Sequence, residues 1–382
     1  MPIATRRLGS KRKIVVIHMK RVTVVQIGFG TVGGAVLEQI AENQQVWRNS
    51  LGVELGVGAI IGRSGALVSE QPAGFSADEL REAVTRRRSG QELGTLVSPT
   101  DAAETLAEDS AVIALDASAG TGATNLLVSV IERGGGAVLA NKAPLALPVS
   151  DPRTTTLWNQ AGPVGRLRYE ATCGAGLPVI STLRSMLDTG DEMYEVSGTV
   201  SGTFGAIFSA VGAGVPFSQA VREAKAQGYT EPDPRDDLSG LDVARKALIL
   251  ARTMGEMIDL DAISVHSLVP EELRDVPVSE FLDRLSDHDL AIGIQAEEAL
   301  SLDTSLKYLM DWKAGQGVTV GLRQVPKSTV LGALQGPENI VSFRSRRYNR
   351  YPCVVSGPGA GDAVTAAGMV SDLLNLATQL AR

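Results

Sequence analysis

Two charged residues four positions apart, Asp242 and Lys246, stand in the run LDVARKALILARTM, which is otherwise largely apolar. A spacing of four puts both side chains on one face of a helix. Burying such charges costs on the order of several kcal/mol per ion before they pair. The pair reads as an acid/base couple, Lys246 exchanging a proton and Asp242 orienting it, or as a structural ion pair or solvent-facing stripe. A free lysine ammonium, with a pKa of about 10.4, is a poor base at neutral pH. Burial, or a second cation such as Lys142, would have to bring it down.

The chain just upstream, GYTEPDPRDDLSG, carries Glu231, Asp233, Asp236 and Asp237. Pro232 and Pro234 keep EPDP out of a helix. Asp236, Asp237 and Ser239 are placed to cap the helix that follows through its free N–H groups. Glu231 lies too far upstream for that role.

A second group of residues is built for a phosphate ligand. Gly28-Phe29-Gly30-Thr31-Val32-Gly33 is a GxGxxG that closes a β-branched run and opens a helical pattern. Its first glycine makes the turn, the second lets backbone approach a pyrophosphate, and the third lets helix and strand pack closely. This is a dinucleotide loop, or else a tight strand–helix turn of an unrelated α/β domain. An NAD-selective site places an acid at the end of the second strand. Here that strand, VGAIIGRS, ends in Arg63 and Ser64. An arginine there accepts a 2′-phosphate, so NADP(H) is expected over NAD(H); as a plain surface residue, Arg63 would leave both cofactors usable. Ser118 in DASAG and Lys142 in ANKAPLA close two later strands, where ligands of a doubly wound sheet sit. Both are expected near the nicotinamide, Lys142 on a non-helical turn two residues before Pro144.

These residues imply the elements that must hold them. Strands are expected at 22–27, 53–64, 111–118 and 136–142, alternating with helices from Val32 to Ile40 and over 124–135. Such alternation implies βαβ units and a parallel sheet. Residues 65–110 read as a loop with helices, with TRRRSG at 85–90 a solvated basic turn. After about residue 150 strands and helices mix differently, with helices expected at 217–227 and 241–255. The fold class is therefore α/β: a Rossmann-type doubly wound domain over 21–160 and a second, α+β domain over 161–345. The segment 346–382, with GPGAGDAVTAAG and a long amphipathic helix, is expected to return to the first domain. There Gly359, Gly361 and Thr365 would lie at a helix N-terminus near the cofactor. Residues 1–20 read as a bland basic extension.

Composition bounds the rest. The 382 residues suffice for two cores. A net charge of −7 argues against nucleic-acid binding. Two cysteines, Cys173 and Cys353, cannot make a disulfide framework, which suits a reducing compartment. No apolar run approaches the roughly 18 residues of a membrane span. The three histidines lack zinc-site spacing.

In order and spacing, GYTEPDPRDDLSGLDVARK, ANKAPLA, YEATCGAGLPVI, SGTFGAIF and GAGDAVTAAG resemble homoserine dehydrogenases, from about Val22 to the C-terminus. The resemblance implies reversible hydride transfer between NAD(P)H and L-aspartate 4-semialdehyde, giving L-homoserine, on the route to threonine, isoleucine and methionine. It implies that Glu231 binds the substrate amino group, with Asp236, Asp237, Thr203 and Lys142 at the substrate pocket. Asp242 and Lys246 would be the catalytic pair, with Lys142 the second active-site lysine. An amino-acid substrate explains an acidic mouth, and charge developing on oxygen explains a lysine. The turn EATCGAGL implies a sodium ion held by the carbonyls of Glu170, Cys173, Ala175 and Leu177, or a plain Gly-rich turn. The resemblance makes 161–345 the substrate-binding and dimerisation domain, and a cytoplasmic homodimer, with no nucleic-acid or membrane partner, is the expectation. Regulatory or kinase domains found in relatives have no counterpart between the first strand and the last helix. Two rivals are a phosphate-using semialdehyde enzyme, for which neither cysteine is well placed, and a catalytically silent NADP-binding sensor of the same fold.

Overall fold

The computed structural model describes residues 21–63, 65–91 and 111–381. The expected extension at 1–20, Ser64 and much of the 65–110 segment lie outside these. The chain divides into two compact units. One takes Met1–Pro144, Thr155–Ala171 and Asp362–Arg382; the other takes Leu145–Thr154 and Thr172–Gly361.

The first unit is a six-stranded sheet. Its elements run β1 (Arg21–Ile27), α1 (Thr31–Leu51), β2 (Glu54–Ile61), β3 (Ala66–Val68), α2 (Ala77–Arg88), β4 (Ala111–Asp116), α3 (Thr124–Glu132), β5 (Gly136–Leu139) and β6 (Leu167–Arg168). The strand order is β3-β2-β1-β4-β5-β6. All pairings are parallel except β2 with β3. Val22, Val24 and Val25 are fully buried, as a central parallel strand covered on both faces requires. The helix α1 runs past the expected Ile40 and stops at Gly52, whose φ of 69° is left-handed. Ser76 and Glu79 form a reciprocal capping box at the start of α2. The C-terminal helix Asp362–Leu380 belongs to this unit, where Gln39 Nε2 donates to the Ala363 carbonyl at 2.9 Å. Leu373 and Leu376 on that helix are fully buried.

The second unit holds β7 (Met193–Thr199), β8 (Ser264–Val265), β9 (Thr304–Lys313), β10 (Gly317–Pro326), β11 (Asn339–Ser345) and β12 (Cys353–Gly357). The order is β12-β11-β7-β9-β10-β8, antiparallel apart from β8 with β10. On β9, Leu306 to Met310 are all buried, so both faces of its middle are covered, and only at its end does buried Trp312 alternate with partly buried Asp311 and Lys313. Its helices include α4 (Val179–Asp188), α5 (Gly202–Gly212), α6 (Phe217–Ala226), α7 (Pro234–Leu238) and α8 (Leu241–Thr253).

Three local expectations change. Pro234 does not merely block a helix: it is the first residue of α7, where a missing N–H costs nothing. The cap of α7 is Asp233, whose side chain accepts from Arg235 N. The helix α8 instead starts after Gly240, left-handed at φ 74°, with no side-chain cap. Only Ser239 does part of the expected capping, accepting from Leu241 N at 3.3 Å. TRRRSG is not a turn: Arg86, Arg87 and Arg88 form the last turn of α2, where cations complement the helix dipole. The segment 346–382 also divides. β12 pairs with β11 in the second sheet, and the boundary between units falls between Gly361 and Asp362.

Candidate functional site

In the first unit the glycine loop follows β1, and its geometry accounts for each glycine. Gly28 has φ 86°, and a Cβ there would lie 2.5 Å from the Ala117 carbonyl carbon. A Cβ on Gly33 would lie 2.1 Å from the Gly28 oxygen. Among the described residues, nothing lies within 4 Å of where a Cβ on Gly30 would stand. The first and third glycines thus serve turn and packing, and the second leaves room for a ligand, the division of roles a pyrophosphate cradle needs. Thr31 and Val32 begin α1. Gln26, fully buried on an apolar strand, donates to the Gly28 carbonyl at 3.0 Å and pins the turn. Sequence reasoning did not single it out; a lone amide inside an apolar strand is the signal.

A cavity of about 690 Å³ opens beside this loop, lined among others by Gly28, Phe29, Gly30, Arg63, Arg87 and Ser118. Ser118 is held by Asp116, whose Oδ1 accepts from the serine N–H at 2.9 Å and its hydroxyl at 2.6 Å. Asn141 Nδ2 donates to the other Asp116 oxygen at 3.0 Å and to the Gly120 carbonyl at 2.7 Å. Burial pushes the Asp116 carboxyl above its ordinary value, against the pull of these bonds. Asp116 and Asn141 join the ends of β4 and β5 and so fix the turn that carries Lys142. Neither was among the expected site residues, although Asp116 opens DASAG and Asn141 lies within ANKAPLA, beside Lys142.

In the second unit the acidic stretch folds into a tight cluster. The hydroxyl of Thr203, near the start of α5, lies 2.5 Å from the Tyr229 carbonyl and 2.9 Å from Asp237 Oδ1, and its single hydrogen is shared between these two acceptors. Asp237 Oδ2 accepts from Glu231 N at 2.8 Å. Burial pushes the Asp237 carboxyl up, and the charges of Asp242 and Asp236 add to the rise. A cation arriving here would relieve that strain. Arg235 clamps the stretch from behind, pairing with Asp233 at 2.7 Å and donating to the carbonyls of Leu273, Arg274 and Val276.

Lys246 and Asp242 pair at 2.8 Å along α8, their side chains 12% and 45% exposed. The pair is thus not sealed in the core: the lysine is sunk and the aspartate reaches solvent, which lowers the cost of burial. Lys246 Nζ also donates to the Val200 carbonyl at 2.6 Å, which anchors it to the turn between β7 and α5. The close start of α8 depends on Gly240, where a Cβ would meet the Tyr308 hydroxyl at 2.0 Å.

The structure therefore gathers Thr203, Glu231, Asp237, Asp242 and Lys246, and in the first unit the glycine loop, Arg63 and Ser118. Asp236 is exposed and lines a different cavity, with Arg245 and Arg274. Lys142 belongs to the first unit. Gly359 and Gly361 fall in the second unit and Thr365 in the first turn of the C-terminal helix. Glu170 falls in the first unit, and Cys173, Ala175 and Leu177 in the second. Gly174 and Ala175 are consecutive left-handed residues, at φ 86° and 56°. Among the described residues no three His, Cys, Asp or Glu side chains could hold a metal ion together, and no described helix is long and apolar enough to cross a membrane.

These features define an α/β protein with a Rossmann-type sheet and a second, largely antiparallel unit bearing an acid and lysine cluster. The homoserine dehydrogenase family model matches residues 178–374, more than half of the chain. The chain belongs to the homoserine dehydrogenase family. It is 36% identical over 357 residues to the chloroplastic bifunctional aspartokinase/homoserine dehydrogenase 1 of Arabidopsis thaliana, covering 93% of this chain and 38% of that protein. It is 42% identical over 223 residues to the homoserine dehydrogenase of Saccharomyces cerevisiae, covering 56% of this chain and 62% of the other. The chain thus spans about two fifths of its bifunctional plant relative. A hyperthermophilic archaeal homoserine dehydrogenase solved in complex with NADPH superposes with a TM-score of 0.70 at 25% identity, covering 92% of this chain and 96% of that one.

Proposed function

We propose that the chain is a homoserine dehydrogenase that reversibly reduces L-aspartate 4-semialdehyde to L-homoserine, with NADP(H) preferred over NAD(H). The observation that carries this reading is Lys246: a sunken ammonium, braced by Asp242 and Val200, beside a carboxylate cluster within the family-matched region. Glu231 and Asp237, with Thr203 holding Asp237, form the acidic face that receives the substrate ammonium. Two of the three Lys246 N–H groups are engaged, and the third is the donor for the substrate's carbonyl oxygen. As that oxygen gains charge, Lys246 stabilises it and delivers a proton; in the reverse direction the lysine takes the proton back. Asp242 keeps the ammonium oriented. The bound nicotinamide supplies the hydride. Gly28–Gly33 hold its pyrophosphate, Arg63 the 2′-phosphate, and Ser118 and Lys142 the nicotinamide end, with Gly359, Gly361 and Thr365 contributing from the C-terminal loop. In this reading the carbonyls of Glu170, Cys173, Ala175 and Leu177 hold a sodium ion, an assignment supported by the two consecutive left-handed residues that turn the loop. A cytoplasmic homodimer joined through the second sheet completes it; exposed Tyr351 and Val354 at the β12 edge offer apolar surface.

The test is NADP+ reduction at 340 nm with L-homoserine, run beside L-serine, L-threonine and D-homoserine. The expected result is turnover with L-homoserine alone. Equal rates with L-threonine, or no turnover with any, would overturn the reading.

A further inference from the structure

A further cavity, of about 200 Å³, lies in the second unit at the far end of α5 from Thr203. Its walls come from the last turn of α5, the helix Asp289–Ser301 and the start of β9. Lys307 on β9 lines it and is only 7% exposed. An ammonium has three N–H donors. One goes to the Leu334 carbonyl, and the other two make no hydrogen bond or ion pair with the described residues. Sinking a cation this far without a partner costs on the order of several kcal/mol. The residue directly opposite on β10 is Arg323, another cation, an unfavourable pairing in a sheet. Lys327 also lines the cavity, and among the described residues no carboxylate does. Burial holds the Lys307 amine below its ordinary value, as for a cation with no acid beside it. Two helices end here, but their last carbonyls are taken by cap N–H groups and by the Thr304 hydroxyl. They do not account for the lysine. Ser209 lines the same space: its Oγ accepts from Gly336 N at 2.8 Å, and its own hydrogen has no acceptor among the described residues. Much of the remaining lining is apolar, with Phe208, Ala296, Leu300 and Leu306.

We infer that this cavity is a binding site for a short aliphatic carboxylate, whose oxygens take the free N–H groups of Lys307 and the Ser209 hydroxyl while its hydrocarbon end rests on Phe208, Ala296 and Leu300. The anion supplies the counter-charge that the fold omits, and charge-assisted hydrogen bonds of this kind are roughly twice as strong as neutral ones. The Leu334 carbonyl holds the ammonium in place beforehand, so little side-chain freedom is lost when the anion arrives. Inorganic phosphate would meet the same cation but leave the apolar half of the cavity unused. The assignment does not depend on Lys246 or on the dinucleotide cavity.

The experiment is a saturation-transfer NMR titration of the full chain with butyrate and with uncharged butyramide, inorganic phosphate being added as a competitor. Wild type is expected to bind butyrate roughly tenfold or more tightly than butyramide. Phosphate should displace butyrate only at roughly tenfold or more higher concentration, because it gains nothing from the apolar wall. Lys307→Met should lose the preference for butyrate over butyramide, and Lys246→Ala should keep it. Retention of the preference in Lys307→Met, or its loss in Lys246→Ala, would overturn the site. So would a wild type that binds neither ligand, or both alike. Displacement by an equal concentration of phosphate would overturn the assignment to a carboxylate. Should Lys307→Met not fold, Ala296→Phe decides, since Ala296 is half-buried on the helix wall and the ring would fill the cavity. Butyrate binding by that variant within about twofold of wild type would contradict the proposal.

Discussion

Asp237 and Asp236 are neighbours in sequence and differ completely in place. Asp237 is tied on both oxygens, by the Thr203 hydroxyl and the Glu231 N–H, while Asp236 is exposed on another cavity. Asp237→Asn leaves only one oxygen for two donors and removes the charge offered to a substrate ammonium. Its KM for L-homoserine should rise by roughly tenfold or more, the size of a lost charged hydrogen bond. Asp236→Asn should change KM by less than about twofold, and steady-state kinetics of the two variants separate them. Sequence could supply the residue types and the i,i+4 spacing of Asp242 and Lys246, because helix periodicity fixes that face. It could not rank two adjacent aspartates, since which one turns inward depends on the short helix begun by Pro234.

At the scale of elements, the C-terminal helix carries a charge into its apolar face. Asp372 is buried and accepts from Glu170 N at 2.8 Å. Burial is the main cause that raises its carboxyl to about 7 from 3.8, with the Glu170 charge adding and the Glu170 N–H bond opposing. Between those two values the folded chain keeps a proton that the unfolded chain has released. Stability therefore falls as pH rises from about 4 to about 7, then levels off. The full span is worth at most on the order of 4 kcal/mol. Asp372→Asn should flatten this slope and be the more stable form above pH 7, while the two converge near pH 4. Urea melts across that range measure it; equal slopes would count against the raised carboxyl. The amphipathic helix itself was readable from its pattern, and so were β1, β2 and β4, whose apolar runs suit strands buried on both faces. The fate of β12 was not, because a short Gly-flanked strand carries little periodicity and its partner β11 supplies the reason it joins the second sheet.

The whole molecule puts a glycine-loop cavity in one unit and the lysine cluster in the other. The change of character near residue 150 was visible in sequence as the end of the strand–helix alternation. The interleaved division was not, since chain segments such as Leu145–Thr154 and Asp362–Arg382 are assigned by contacts remote in sequence. In the proposed reaction one chain uses the first unit to bind the cofactor and Lys246 to move the proton. The most direct test is NADPH oxidation with L-aspartate 4-semialdehyde, homoserine being quantified by mass spectrometry, in wild type and in Lys246→Ala, with NADPH affinity measured separately for each. Wild type is expected to form one homoserine per NADPH consumed. Lys246→Ala should bind NADPH as wild type does but turn over roughly a hundredfold or more slowly. A variant within a few-fold of wild type would contradict the role of Lys246, and a wild type that binds NADPH yet forms no homoserine would mark the chain as a silent sensor.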